Sequence, residues 1–234
     1  MKYDKIVSGR FIKRHNRFVG TALVDGVEEK IHIKNTGRCA ELLQEGAEIY
    51  LEDHAKSIKN RKTRYSLITI RKPSTGVLAN IDSQAPNNVV EEALLSGRLQ
   101  LKEMIYPITV KREQKYMDSR FDFYIEDSTG QKAYMEVKGV TLENDGIAMF
   151  PDAPTMRGAK HLKELIAAKQ EGFISYAIFV IQMKGIDFFK TNAANDPDFD
   201  AAYCAARKAG VHIKAFDCII TPDSIVLDNE IKTL

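Results

Sequence analysis

Apolar and polar residues alternate with period two through most of the N-terminal third, which predicts short half-buried strands over residues 6–12, 17–24, 28–33, 48–53 and 65–71. Asp25-Gly26 between the second and third is hairpin chemistry, because Gly takes a positive φ without strain. Residues 35–43 read as a turn leading into a short helix, closed by Glu45-Gly46. Five short strands interrupted by a short helix predict a small closed barrel of the OB type, a pattern that other small β folds share. Arg71-Lys72-Pro73-Ser74-Thr75-Gly76 reads as a junction and places a boundary near residue 80, giving domains 1–80 and 81–234.

Beyond it the period changes. Asn87 is placed to cap a helix over 87–96, with Val89, Val90, Ala93 and Leu94 on its buried side and Gly97 ending it. Strands are predicted at 109–115, 119–126, 133–138 and 147–150, then a helix over 155–170 with Thr155 as its cap. Residues 175–183 are almost continuously apolar, as in a strand buried on both faces. A helix over 198–209, a strand over 212–220 and a short edge strand or turn at 224–227 complete the chain. The order predicts an α/β (α+β) domain with a central mixed sheet flanked by helices.

The chemistry concentrates on two of these strands. In Ser119-Arg120-Phe121-Asp122-Phe123-Tyr124-Ile125-Glu126, alternation places Phe121, Phe123 and Ile125 on one face and Asp122 on the other. In Ala133-Tyr134-Met135-Glu136-Val137-Lys138, Glu136 and Lys138 share the polar face, and Asp127-Ser128-Thr129-Gly130 can turn one strand into the other. Pairing the two brings Asp122, Glu136 and Lys138 together. Two converging carboxylates can hold Mg²⁺ or Mn²⁺ through oxygen ligands, and a neighbouring lysine can orient water or neutralise charge on a phosphate. That is the arrangement phosphodiester hydrolysis needs; the same residues also suit an edge hairpin with a solvated charged face. Farther on, Arg157, Lys160, His161 and Glu164 fall at helical spacing on one face. Arg157 in a first turn opposes the helix dipole, which points to an anionic partner such as Glu136 or a phosphate. No second histidine lies near His161, so zinc is not indicated, and no phosphate loop, dinucleotide fingerprint or serine elbow is present.

Net charge is only +2, but residues 1–80 carry +7 and residues 81–234 carry −5. A basic front joined to an acidic back suits a nucleic-acid-binding module beside a metal site. One basic cluster, Arg10, Lys13, Arg14, His15 and Arg17, surrounds the first turn; a second, Lys56, Lys59, Arg61, Lys62 and Arg64, contains no acid. Loops at these places flank the nucleic-acid groove of OB barrels. Trp is absent, and Phe11 and Phe18 read as core. No run has the length of a membrane span and no signal segment opens the chain. Cys39, Cys204 and Cys218 have no metal-ligand spacing, and reduced thiols in the cytoplasm are expected.

The chain resembles the sugar fermentation stimulation protein A (SfsA) family. The marks are Asn35-Thr36-Gly37-Arg38, Ser119-Arg120-Phe121-Asp122, Glu136-Val137-Lys138 followed by Val140-Thr141-Leu142, and Phe150-Pro151-Asp152-Ala153-Pro154-Thr155 with Arg157-Gly158 and Lys160-His161-Leu162. The resemblance implies an N-terminal OB-like domain, a C-terminal domain of the PD-(D/E)XK nuclease type and nonspecific DNA binding, with Asn35 and Arg38 joining the basic residues that touch nucleic acid. It also implies a regulatory link to sugar metabolism. Asp122, Glu136 and Lys138 match the acid, acid and lysine of the nuclease motif, with Phe121 standing where such motifs have Pro. Glu91 or Glu92 could supply the glutamate that such nucleases often carry on their first helix. The expected activity is metal-dependent cleavage of DNA, with Arg157 and His161 flanking the scissile phosphate. A non-cutting DNA-binding regulatory factor and an RNA or small-nucleotide phosphodiesterase are the alternatives.

Overall fold

The computed structural model describes residues 1–56 and 61–234. Five alternating segments become β1 (Ile6–Arg14), β2 (Val19–Val24), β3 (Val27–Ile33), β4 (Glu48–Asp53) and β5 (Tyr65–Arg71). They hydrogen-bond in the order β3-β2-β1-β4-β5, and a parallel pairing of β3 with β5 closes an OB-like barrel. Closure leaves no long free edge, and inward-facing Phe11, Ile31, Ile33, Ile49, Leu51 and Leu67 fill the interior. β1 runs past its expected end and bulges between Phe11 and Lys13, so Lys13 and Arg14 are strand residues. The helix expected after Thr36 is a single turn, in which the Leu42 and Leu43 N–H groups bond to Cys39 O and Leu42 is fully buried.

A short β6 (Leu78–Asn80) pairs with β5 and leads to α1 (Ala85–Leu95). The second unit then runs β7 (Ile108–Tyr116), β8 (Ser119–Asp127), β9 (Lys132–Val140), β10 (Leu142–Asn144), β11 (Ile147–Phe150), α2 (Met156–Gln170), β12 (Ile174–Ile181), β13 (Phe188–Thr191), α3 (Pro197–Lys208), β14 (His212–Thr221) and β15 (Ser224–Thr233). Its strands form one mixed sheet, ordered β10-β11-β13-β15-β14-β12-β9-β8-β7. β12 lies between β14 and β9, parallel to both, and all eight of its residues are buried, as its unbroken apolar run requires. α1 covers one face, while α2 and α3 pack together on the other. β15 is not the short edge element expected: it spans ten residues and sits between β13 and β14. Its polar stretch is tolerated because Lys184 pairs with Asp228 and Asp217, and Asp217 also accepts the Asn229 N–H at 2.9 Å.

Barrel and sheet share one apolar core, in which Leu42, Leu67 and Ile70 belong to the same cluster as Val140, Phe179 and Phe199. Polar ties reinforce the seam. Asp152 accepts the backbone N–H groups of Arg38 (2.6 Å) and Cys39 (3.1 Å). Lys34 pairs with Asp82 at 2.5 Å, and buried Lys72 pairs with the buried Glu143 carboxylate while donating to Glu143 O at 3.0 Å. Cys39, Cys204 and Cys218 are free thiols. Among the described residues no helix is long and apolar enough to cross a membrane.

Because Glu143 would keep a buried charge without its partner, Lys72→Ala should destabilise the chain by about 3–5 kcal/mol. Urea denaturation of the variant should show this loss in one transition; two separated transitions would show that barrel and sheet unfold independently.

Candidate functional site

The β8–β9 ladder runs from Glu126 opposite Lys132 to Phe123 opposite Met135. One step farther, the same register sets Asp122 opposite Glu136. There the ladder ends: the Val137 N–H donates to Asp122 Oδ2 at 2.8 Å, so a side chain takes the place of a backbone carbonyl. This substitution corrects one sequence expectation. Phe121 does not share a face with Phe123 and Ile125; it lies in the core under α2, near the rings of Tyr116 (5.5 Å), Tyr134 (5.2 Å) and His161 (6.2 Å), while the other two pack in the core beside α1.

Asp122 Oδ1 accepts from Asn87 Nδ2 at 2.8 Å. Asn87 is therefore not the cap of α1. The helix starts at Ala85 after Gln84, which makes no side-chain capping bond, and Asn87 in the first turn reaches the site instead. Neither glutamate of α1 joins it: Glu91 faces Arg112 at 3.6 Å, and Glu92 binds the N-terminal ammonium at 2.5 Å.

Glu136 is 3% exposed. Its Oε1 accepts from Lys138 Nζ at 2.5 Å and from His161 Nδ1, whereas Oε2 is buried with no partner. His161 comes from the second turn of α2, a helix capped as its sequence predicts, with Thr155 Oγ1 accepting the Gly158 N–H at 3.0 Å. Arg157 Nε approaches His161 Nε2 at 3.4 Å, which makes Nε2 the acceptor and leaves the ring proton on Nδ1, facing Glu136. The expected Arg157–Glu136 contact is thus replaced by this relay through His161. Of the helix face read from sequence, His161 and Glu164 are buried and Arg157 and Lys160 exposed, with Lys160 3.6 Å from Glu164.

Electrostatics divide the two acids. Burial, and next the charge of Glu136, raise the Asp122 pKa against the pull of the Val137 and Asn87 hydrogen bonds. Burial opposes ionisation of Glu136 as well, but the His161 hydrogen bond and the Lys138 charge outweigh it and lower its pKa. Among the described residues no three His, Cys, Asp or Glu side chains converge with metal-ligand spacing. A cation here would rest on Asp122, Glu136, backbone oxygens and water, and the bare Glu136 Oε2 fits that use.

Two clefts open near the site; neither is lined by Asp122, Glu136 or Lys138, and His161 lines the second. One, of about 400 Å³, lies between barrel and sheet and is lined by Arg17, Asn35, Gly139 and Thr155 among others. The second, of about 490 Å³, lies between the β7–β8 hairpin and α2 and is lined by Lys115, Arg120, Arg157, Lys160 and His161 among others. Lys115 and Arg120 were not singled out in the sequence, although they flank a hairpin next to Asp122.

The remaining basic residues divide by role. Arg14 spends its guanidinium on the carbonyls of Asn16, Arg17, Asn35, Gly37 and Arg38, and so shapes the cleft wall from behind. Arg10 bonds to Gly46 O at 3.3 Å, and Lys13 is exposed. The Arg38 side chain is exposed while its N–H binds Asp152. Among the described residues of the second basic cluster, Lys56, Arg61, Lys62 and Arg64 line neither cleft. Nor does it lack an acid: Arg64 grips Asp53 of β4 at 2.8 and 2.9 Å, which holds the Asp53 carboxyl down at about 2. Arg61 bonds to Ser66 Oγ at 2.7 Å, Lys56 and Lys62 are exposed, and Lys59 lies outside the described residues.

Residues 84–224 match the profile of the sugar fermentation stimulation protein RE domain, and residues 12–81 match the SfsA N-terminal OB domain. A sugar fermentation stimulation protein homolog of Alkaliphilus oremlandii is 47% identical over 234 residues, covering 99% of this chain and 97% of the relative. One from Desulfitobacterium hafniense is 47% identical over 226 residues, covering 96% and 94%. The solved structure of Pyrococcus furiosus SfsA in complex with Ca²⁺ superposes with a TM-score of 0.87 at 29% identity, covering 100% of this chain and 98% of that one. With both units matched in order and relatives aligned along nearly their whole length, the chain belongs to the sugar fermentation stimulation protein (SfsA) family.

Proposed function

We propose that the chain is a DNA-binding, metal-dependent phosphodiesterase whose centre is Asp122, Glu136 and Lys138. The observation that carries this reading is the buried Glu136 Oε2, which has no hydrogen-bond partner and stands near a second, half-buried carboxylate, Asp122. An unpaired buried carboxylate oxygen is costly unless something outside the protein satisfies it. Mg²⁺ or Mn²⁺, both oxygen-seeking, suit the pair, and the Pyrococcus furiosus relative is described in complex with another such cation, Ca²⁺. A bound cation would supply Lewis-acid polarisation of the phosphate and an activated water.

The chain's own residues do the rest. The Val137 N–H and Asn87 hold Asp122 in place, leaving its remaining lone pairs for a ligand. Lys138, fixed on Glu136 Oε1, keeps an ammonium at the site to orient water and offset charge gathering on the phosphate. His161 holds the same oxygen of Glu136 from α2, and Arg157 at its back presents a guanidinium to the cleft, where a phosphate oxygen can bind it. Arg17 and the exposed barrel cations hold flanking phosphates. Through this activity the chain would exert the regulatory effect on sugar metabolism that its family name records. A non-cutting DNA-binding factor is the competing reading, and it draws on the lack of a third converging acid among the described residues.

Three outcomes are expected. First, DNA or RNA of mixed strand state should be cut in Mg²⁺ or Mn²⁺ and not in EDTA, with Lys138→Ala slowing cleavage by about 100-fold or more. Equal cutting by parent and variant would trace the activity to a contaminant. Second, a cation at 100-fold excess over its Kd should raise the melting temperature by about 5–10 °C, and Asp122→Asn should remove this response. Third, the raised Asp122 pKa means that its ionised form costs stability above that pKa, so in EDTA Asp122→Asn should melt higher than the parent at neutral pH. The difference should shrink as acidification protonates Asp122, and the cation response should fade over the same interval. A variant that melts lower at neutral pH would contradict the assigned repulsion.

A further inference from the structure

Phe18 was expected in the core and is instead 53% exposed. It is not loosely held. The Asn16 side chain accepts the N–H groups of Phe18 (2.9 Å) and Val19 (3.0 Å), and the Ile33 N–H binds Phe18 O at 2.8 Å. An exposed aromatic ring on a β1–β2 loop whose backbone is pinned in this way offers a flat face to a ligand. With His32 and Lys34 it lines a hollow of about 170 Å³.

The hollow leads to the site. It shares Thr36 and Ser83 with the cleft between barrel and sheet. That cleft is lined by Thr155 and the hairpin cleft by the next residue, Met156, so the start of α2 borders both. A strand laid along all three therefore runs from Phe18 past Gly139, the neighbour of Lys138, to Arg157 and Lys160. Its walls present Arg17 and Arg157, together with Lys34 and Lys160, which also pair with Asp82 and Glu164. A base can lie flat on Phe18 only when it is free of a duplex stack.

Resting on the nucleic-acid reading above, we infer that the substrate enters as an unpaired strand, with one base stacked on Phe18 in the hollow beside His32 and Lys34 and the backbone threaded through the two clefts across the start of α2. The stacking is indifferent to base identity, because every base offers a π-face, and it places an anchored nucleotide at a distance from the acids that the clefts fix. Phe18 is thereby a binding residue that sets strand state, outside the cutting machinery.

The test is fluorescence anisotropy of a short labelled oligonucleotide of mixed sequence, single-stranded or annealed to its complement, with the full chain in EDTA so that nothing is cut. Phe18→Ala should weaken single-strand binding by about 5- to 100-fold, Phe18→Trp should keep it, and duplex binding should be weaker than single-strand binding and unmoved by either change. Melting curves of both variants should match the parent, since the ring is exposed. Unchanged single-strand affinity in Phe18→Ala, or tighter binding of the duplex, overturns the inference. Either result leaves the metal-dependent cleavage assay to decide the catalytic reading on its own; conversely, a Phe18-dependent single-strand affinity in a chain that never cuts upholds the inference and removes the nuclease.

Discussion

The hydrogen bond from the Val137 N–H to Asp122 Oδ2 is the constraint on which the site depends. Antiparallel strands stay together by exchanging backbone N–H and C=O groups. Where a carboxylate takes one of those places, the ladder stops and the strands separate without leaving a backbone donor unpaired. At this point Phe121 lies toward α2, 6.2 Å from the His161 ring, and Glu136 is buried while Asp122 is half-buried. Two carboxylates so placed repel and are poorly solvated. The fold offsets this unevenly: Glu136 receives a lysine and a histidine on one oxygen, whereas Asp122 receives only neutral donors. The acid with the raised pKa and the oxygen with no partner therefore stand together, and a divalent cation would relieve both at once.

The barrel contributes more than basic charge. Its core is continuous with that under α2 and α3, and Asp152, Lys34 and Lys72 tie the seam through the 34–39 segment, Asp82 and Glu143. The cleft between barrel and sheet thus has rigid walls on both sides, one held from behind by the five carbonyl contacts of Arg14. Walls held in this way cost a ligand less ordering on binding than mobile ones would.

Alternation made the barrel strands and the acid–acid–lysine set legible in the sequence, because a half-buried strand sorts its residues by face. The same rule misplaced Phe121, since it assumes that backbone groups alone complete a ladder and cannot foresee a side chain entering it. β15 looked short because Asp228-Asn229-Glu230 breaks the pattern, and only Lys184 and Asp217, distant in sequence, make that run acceptable inside a sheet. Asn87 carried the signature of a helix cap, and its use as an Asp122 donor depends on α1 crossing the sheet where it does. Phe18 was assigned to the core on residue type, but the Asn16 turn fixes it outward. Arg64 seemed unpaired because Asp53 belongs to another strand of the barrel. Each miss is a contact between segments far apart in the chain, or a local turn that overrides composition.

If the end of the β8–β9 ladder forms a cation site, Asp122 and Glu136 are the carboxylates that would hold the ion. A crystal of the chain grown without divalent metals and then soaked in Mn²⁺ tests this most directly, through the anomalous difference map. The expected result is a peak beside Asp122 and Glu136, the residues that would hold the cation, with the Val137–Asp122 hydrogen bond intact. An empty site between the two carboxylates at saturating Mn²⁺, or a water or protein donor on Glu136 Oε2 in its place, would contradict it.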